Sequence, residues 1–241
     1  FLCSTFSSRL ILNNFIAFNE DMIAEKVNVL DDRVKHLDET VDLIIGDEST
    51  FKFLMTNEKD YEKPTAILKI IRRFRNICSS NSLVRGICLV DLQRQIVITE
   101  NTKMTIEGNR YDRYQGQNSF VVTDDGEERK LEFVKRFEPI RGKKVVYMIL
   151  TVDEEVFTSN LLVGKESEML KSCLMTRQGD VLTADGLDEC APAVQTELQG
   201  LEKGTEKFET SGQKLVLYKN PSKVSDMSIA AYEDYTYLEG Q

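Results

Sequence analysis

From Ile23 onward the apolar residues fall at Ile23, Val27, Leu30, Val34, Leu37, Val41 and Ile44, in alternating steps of four and three. That spacing is an a/d heptad seam and predicts one long helix. Upstream, Leu10, Leu12, Phe15, Ile16 and Phe18 continue the apolar face less regularly, and the stretch holds no Pro and no Gly before Gly46. A helix of about 45 residues would be about 65 Å long, more than packing on one compact core requires. Two uses of the seam are open: a dimer interface, or a spine against which later modules pack. "DESTF" (Asp47 to Phe51) breaks the heptad, and residues 1–55 read together as this N-terminal segment.

"TNEKDYEKP" (Thr56 to Pro64) is polar, and Pro64 suits the first turn of a second helix running to about Ser80. Ile67, Leu68, Ile70, Ile71 and Phe74 would form its buried side. Two β-rich runs, "LVRGICLVD" and "QIVITE", then flank the turn Leu92-Gln93-Arg94 and read as a hairpin. Gly108 to Ser119, "GNRYDRYQGQNS", is polar with interleaved tyrosines and reads as irregular or a short helix. Strand patterns return at Phe120 to Asp124, Lys130 to Ile140 and Lys144 to Asp153, separated by the turns "DDGEE" and "RGKK". Leu83 to Asp153 thus predicts about five antiparallel strands behind a helix.

The same plan then repeats. Glu154 to Leu162 reads as a short exit helix, and "SCLMTRQGDVLTADG" as a hairpin turning at Arg177-Gln178-Gly179-Asp180. A helix is expected over Glu189 to Gly200. Three alternating runs follow, "EKFETSG", "QKLVLYKNPSK" and "MSIAAYEDYTY". The expected class is α+β: a long N-terminal helix followed by two related modules with antiparallel sheets, over residues 56–160 and 161–241.

Those features together resemble the double Cache sensor domain, a tandem PAS-like fold. The heptad helix to Ile45, "LVRGICLVDLQRQIVITE", "FEPIRGKKVVYMILTVDEEVFTSNL", "SCLMTRQGDVLTADG" and "QKLVLYKNPSKVSDMSIAAYEDY" carry the resemblance. It implies a membrane-distal module followed by a membrane-proximal one, on the extracytoplasmic side of a bacterial cell membrane. It also implies a transmembrane receptor whose intracellular output is a histidine kinase, a chemoreceptor, a cyclic-dinucleotide enzyme or an AraC-type DNA-binding domain; a sensor histidine kinase is the expectation. A chain that starts at Phe1 fits a piece of such a membrane-anchored protein, and a homodimer through the N-terminal helix is one expected partner.

Composition narrows the function. The chain is 41% hydrophobic and 29% charged, and no run approaches the roughly 18 uncharged apolar residues that span a bilayer. A net charge of −9 argues against nucleic acid, which needs a basic face. Five cysteines (Cys3, Cys78, Cys88, Cys173 and Cys190) and one histidine, His36, offer no zinc-ligand spacing. Cys78 with Cys88, and Cys173 with Cys190, are near enough in sequence for local disulfides; buried thiols are the plainer reading.

Catalytic motifs are missing: there is no G-x-S-x-G, no H-E-x-x-H and no phosphate-cradling glycine loop. The chain therefore reads as a non-enzyme with no cofactor. A pocket is better supported, with the tyrosine–arginine loop closing over a concave sheet. Arg110 and Arg113 are suited to a carboxylate, and Tyr111 and Tyr114 to a flat wall with a hydroxyl tip. Arg136, Tyr147 and Asp153 are the expected contributions from the strands. The resembled family's amino-acid binders carry an Arg followed by Trp and Tyr, then a closely spaced Tyr and Asp. This chain has no Trp, and Tyr147 and Asp153 are too far apart, so no amino-acid ligand is inferred. The expectation is an unknown small-molecule ligand. Ordinary surface and sheet residues remain an alternative for these positions. A coiled-coil adaptor that binds protein, and a PAS-like haem or flavin sensor, remain alternatives for the whole.

Overall fold

A helix of 44 residues, α1 (Leu2–Ile45), opens the chain. The computed structural model describes residues 2–55, 64–124, 129–140, 144–162, 170–176, 179, 181–185, 192–210 and 212–236. The linker 56–63, the turns after Asp124 and Ile140, the residues Arg177, Gln178 and Asp180, and Cys190 lie outside them, as does the Cys3 side chain.

The heptad seam of α1 is fully used inside the chain. Ile23, Val27, Leu30, Val34, Leu37, Val41 and Ile44 are all between 0% and 4% exposed. Each such side chain gains about 1.5–3 kcal/mol on leaving water, so the seam is a spine. The expected dimer interface along it is corrected: those side chains have no surface left for a partner. The apolar residues exposed on α1 lie elsewhere, at Leu10, Ile11, Phe18 and Leu43.

The described part of the N-terminal segment, residues 2–55, forms two helices. Asp47 Oδ1 accepts the backbone N–H groups of Ser49 (3.1 Å) and Thr50 (3.3 Å), an N-cap that starts α2 (Glu48–Met55). "DESTF" is therefore a helix start as well as a heptad break.

Two compact units divide the chain, Lys35–Phe157 on the one hand and Phe1–Val34 with Thr158–Gln241 on the other. In the first, α3 (Pro64–Ser80) buries Ile67, Ile70, Ile71, Phe74 and Ile77, while Leu68, expected inside, is 60% exposed. Its strands are β1 (Val84–Asp91), β2 (Ile96–Thr99), β3 (Lys103–Thr105), β4 (Phe120–Asp124), β5 (Arg129–Ile140) and β6 (Lys144–Val152). They form an antiparallel sheet in the order β3-β2-β1-β6-β5-β4, one strand more than the pattern predicts. The extra strand, β3, has only three residues and no buried one, so no alternation announces it.

A buried ion cluster fixes α2 to this sheet. Asp91 Oδ2 accepts Arg94 Nε (2.6 Å) and Lys144 Nζ (3.0 Å), and both Asp91 and Lys144 side chains are fully buried. Arg94 also donates to the Phe53 carbonyl (2.8 Å), and Lys144 to that of Leu54 (3.1 Å). Both cations lie over the Phe53 ring, at 4.0 and 5.7 Å. The unsatisfied carbonyls at the C-terminal end of α2 are thus capped by cations, which also suit the negative pole of the helix.

After α4 (Glu154–Thr158), the other unit holds β7 (Leu170–Thr176), β8 (Val181–Asp185), α5 (Pro192–Gly200), β9 (Gly204–Thr210), β10 (Gln213–Pro221) and β11 (Met227–Asp234). The order here is β8-β7-β11-β10-β9. Without β3, the first sheet follows the same path, so the chain carries one strand plan twice. Val194 and Leu198 of α5 pack on Cys173, Met175, Leu215 and Leu217. Lys219 Nζ caps the end of α5 at the Leu198 carbonyl (3.0 Å).

Cys78, Cys88 and Cys173 are all thiols. The disulfide considered between Cys78 and Cys88 does not form. Cys88 points to the sheet face away from α3, as alternation along β1 requires.

Candidate functional site

One face of the first sheet supports the loop between β3 and β4. Val90, Val97, Val134, Tyr147 and Ile149 cluster there with Tyr114 from the loop. The loop turns through a short 3-10 segment, Asp112–Tyr114, in which Tyr114 alone is buried. At Gly116 the backbone has φ +79°, a conformation that glycine adopts without strain. The Gly116 N–H donates to the Tyr147 hydroxyl (3.2 Å), which pins the loop's far end to β6.

Beside this packed half, loop and sheet line a half-open cavity of about 510 Å³. Four of the expected residues, Arg110, Tyr111, Arg113 and Tyr114, line it. The other three, Arg136, Tyr147 and Asp153, do not line it. Tyr147 is buried under the loop, serving as the Gly116 anchor. Arg136 pairs with Glu138 (2.5 Å) and donates its N–H to Asn118 (2.9 Å). Asp153 caps α4 at Val156 (3.0 Å) and accepts Arg85 Nε (2.7 Å). Since Arg85 lines the cavity, Asp153 reaches it through that arginine.

The charges are mixed, with a cationic surplus. Arg85, Arg110, Arg113, Arg129 and Lys130 line the cavity against Glu100, Glu132 and Glu154. In a chain of net charge −9, such a local excess makes the cavity favourable to an anionic group. The Arg110 guanidinium lies 6.0 Å from the centre of the Tyr111 ring, and that of Arg113 lies 5.1 Å from the Tyr114 ring. Stacking of this kind holds a planar cation without covering its N–H edges.

Glu132 is the residue the sequence did not point to. It is 6% exposed, and its Oε2 accepts the hydroxyls of Tyr114 (2.7 Å) and Thr123 (3.2 Å). Its second oxygen has no hydrogen-bond partner among the described residues. In "KLEFVKRF" a Glu between Leu131 and Phe133 reads as the solvent side of a strand; only the loop converts that side into a pocket floor. Glu100 was equally silent: its Oε2 accepts the Ile87 N–H (3.1 Å) beside the bulge at Gly86.

Burial and neighbouring Glu132 raise the Tyr114 phenol above its ordinary range, so it remains a hydrogen-bond donor. Burial, with Glu132 and Glu100, pushes the Cys88 thiol up to about 12. A thiol so disfavoured as thiolate is a cavity wall rather than a nucleophile. Among the described residues no group of His, Cys, Asp and Glu has metal-binding geometry.

No family model and no curated protein sequence matches the chain. Solved structures do. The sensory domain of the Campylobacter jejuni chemoreceptor Tlp3, solved with isoleucine bound, superposes with a TM-score of 0.67 at 10% identity, covering 97% of this chain and 98% of that one. The extracellular domain of a histidine kinase, vpHK1S-Z8, gives 0.65 at 10% identity, over 95% and 98%. A domain of a sensory box/GGDEF family protein from Vibrio parahaemolyticus gives 0.62 at 11% identity, over 94% and 98%. The chain has the fold of these sensory domains. That agrees with the tandem PAS-like architecture expected from the sequence, at identities where fold is what the likeness carries.

Proposed function

We propose that the chain is the extracytoplasmic small-molecule-sensing domain of a transmembrane signal-transduction receptor, with histidine kinase as the output. The observation that carries this reading is the cavity between loop and sheet in the Lys35–Phe157 unit, lined by Arg110, Tyr111, Arg113 and Tyr114. The fold supports it, being that of extracellular sensory domains. The unit that holds the cavity is the membrane-distal module in this reading.

The lining also indicates what a ligand must bring. An anionic group would meet Arg110 and Arg113, and an N–H or ammonium donor would meet the open oxygen of Glu132. A small zwitterion satisfies both, and the Tlp3 domain is a fold relative solved with such a molecule, isoleucine. The coiled-coil adaptor reading loses its support, because its seam is buried within the chain.

Binding moves a receptor only when the ligand favours one of two arrangements. The direct test is the full-length receptor in lipid vesicles, with autophosphorylation measured with and without a compound that binds this domain. A change in output, lost in Arg110→Ala, is expected. Output indifferent to a bound ligand would contradict the relay.

A further inference from the structure

Away from the cavity, the other unit buries a carboxylate with too few partners. Glu233, on β11, is 1% exposed. Its Oε2 accepts Asn19 Nδ2 of α1 at 2.7 Å, and its Oε1 has no hydrogen-bond partner among the described residues. The same Asn19 amide donates to the Tyr218 hydroxyl of β10 at 3.2 Å. Tyr218 is itself 1% exposed, and burial pushes its phenol up to about 12, so it stays neutral.

Among the described residues no cation answers Glu233. The titratable groups facing it are Tyr218 from β10 and, beyond Tyr218, Glu20 from α1, whose carboxylate accepts the Thr205 hydroxyl of β9. Its ladder neighbours on β10 and β7 are Val216 and Leu170, both apolar. An ionised carboxylate with one neutral donor, one orphaned oxygen and apolar flanks is costly. A protonated one removes most of that cost. Burial pushes the Glu233 carboxyl up to about 7, against the hydrogen bond from Asn19, which acts to lower it.

We propose that Glu233 is a proton-operated latch between α1 and β11: protonated, it seats the helix on the sheet, and ionised, it loosens that contact. The sign follows from linkage. A carboxyl that holds its proton more tightly when folded stabilises the contact at low pH, and that contribution is lost as pH rises toward neutrality. In the receptor reading proposed above, the domain meets the pH of its surroundings directly, so the Asn19–Glu233 contact would report acidity without any ligand in the cavity.

The test uses the 241-residue chain with carboxyl-13C NMR and hydrogen exchange. The Glu233 resonance, assigned by through-bond connectivity, should titrate near neutrality. After correction for intrinsic exchange, protection of α1 amides near Asn19 should fall about tenfold between about pH 5.5 and about pH 8.5. Glu233→Gln, a neutral isostere, should remove that fall. A resonance that titrates at about 4–5, where ordinary carboxyls do, overturns the latch whether or not the variant folds. So does a Glu233→Gln protein that keeps the wild-type pH dependence.

Discussion

The Tyr114 hydroxyl donates to the Glu132 carboxylate at 2.7 Å, joining the buried residue of the covering loop to the floor of the cavity. This bond therefore links loop position to cavity chemistry. Tyr114→Phe removes the donor and leaves Thr123 as the partner of that oxygen. A hydrogen bond to a charged group contributes about 1.5–3 kcal/mol, so urea denaturation should show a loss of that order. Hydrogen exchange should rise in residues 108–118 before it rises in β1 or β6.

Tyr147 separates anchoring from ligand contact. It does not line the cavity, and its hydroxyl serves the Gly116 N–H. Tyr147→Phe should cost about 0.5–1.5 kcal/mol in chemical denaturation. Arg110→Ala, in contrast, should leave stability within about 0.5 kcal/mol, as an exposed substitution does, while weakening any cavity ligand.

Asp91 is the hub of the cluster that caps α2. Asp91→Ala would leave Lys144 buried and unpaired and Arg94 short of a partner. Breaking a buried pair from one side costs about 3–5 kcal/mol, and the thermal midpoint should fall accordingly. Burial works to raise the Asp91 carboxyl, but hydrogen bonds from Arg94 and Lys144 prevail and hold it below the ordinary range. Its stabilising contribution is thus present above the ordinary carboxyl pKa and is lost as pH falls through the lowered one. Glu233 has the opposite sign, so Asp91→Asn should blunt acid unfolding while Glu233→Gln flattens the decline toward neutral pH.

Leu30 and Leu37 distinguish a spine from a dimer seam. Both are 0% exposed within the single chain. Leu30→Ala or Leu37→Ala should cost about 2–5 kcal/mol, the range for buried leucines. Sedimentation should show no change in association that precedes unfolding.

Much of the fold was legible because its signals are periodic. The seven seam residues of α1, the alternation of "KVVYMILTVD" and the Pro64 helix start all translate burial directly into spacing. Three features escaped. Asp47 reads as a heptad break until its cap geometry is seen. Leu68 fits the helical pattern yet faces water, because neighbouring Ile67 and Ile71 already fill the side toward the sheet. β3 is short and half solvent-facing. At the cavity, the loop's arginines and tyrosines could be found because they cluster in sequence, whereas Glu132 and Arg85 are brought in by strand pairing from distant positions. Asp153, expected among the ligand contacts, holds Arg85.

The claim that the loop–sheet cavity is a ligand site is tested most directly by thermal shift of the chain against small carboxylates, amines and zwitterions. The double variant Arg110→Ala/Arg113→Ala is run beside it. A ligand at about 100 times its Kd stabilises by about 2.7 kcal/mol, which is a rise of several degrees for a chain of this size. We predict such a rise for at least one zwitterion with the wild-type chain, lost in a double variant whose unliganded midpoint is unchanged. No rise with any compound, or a rise that survives both substitutions, would contradict it.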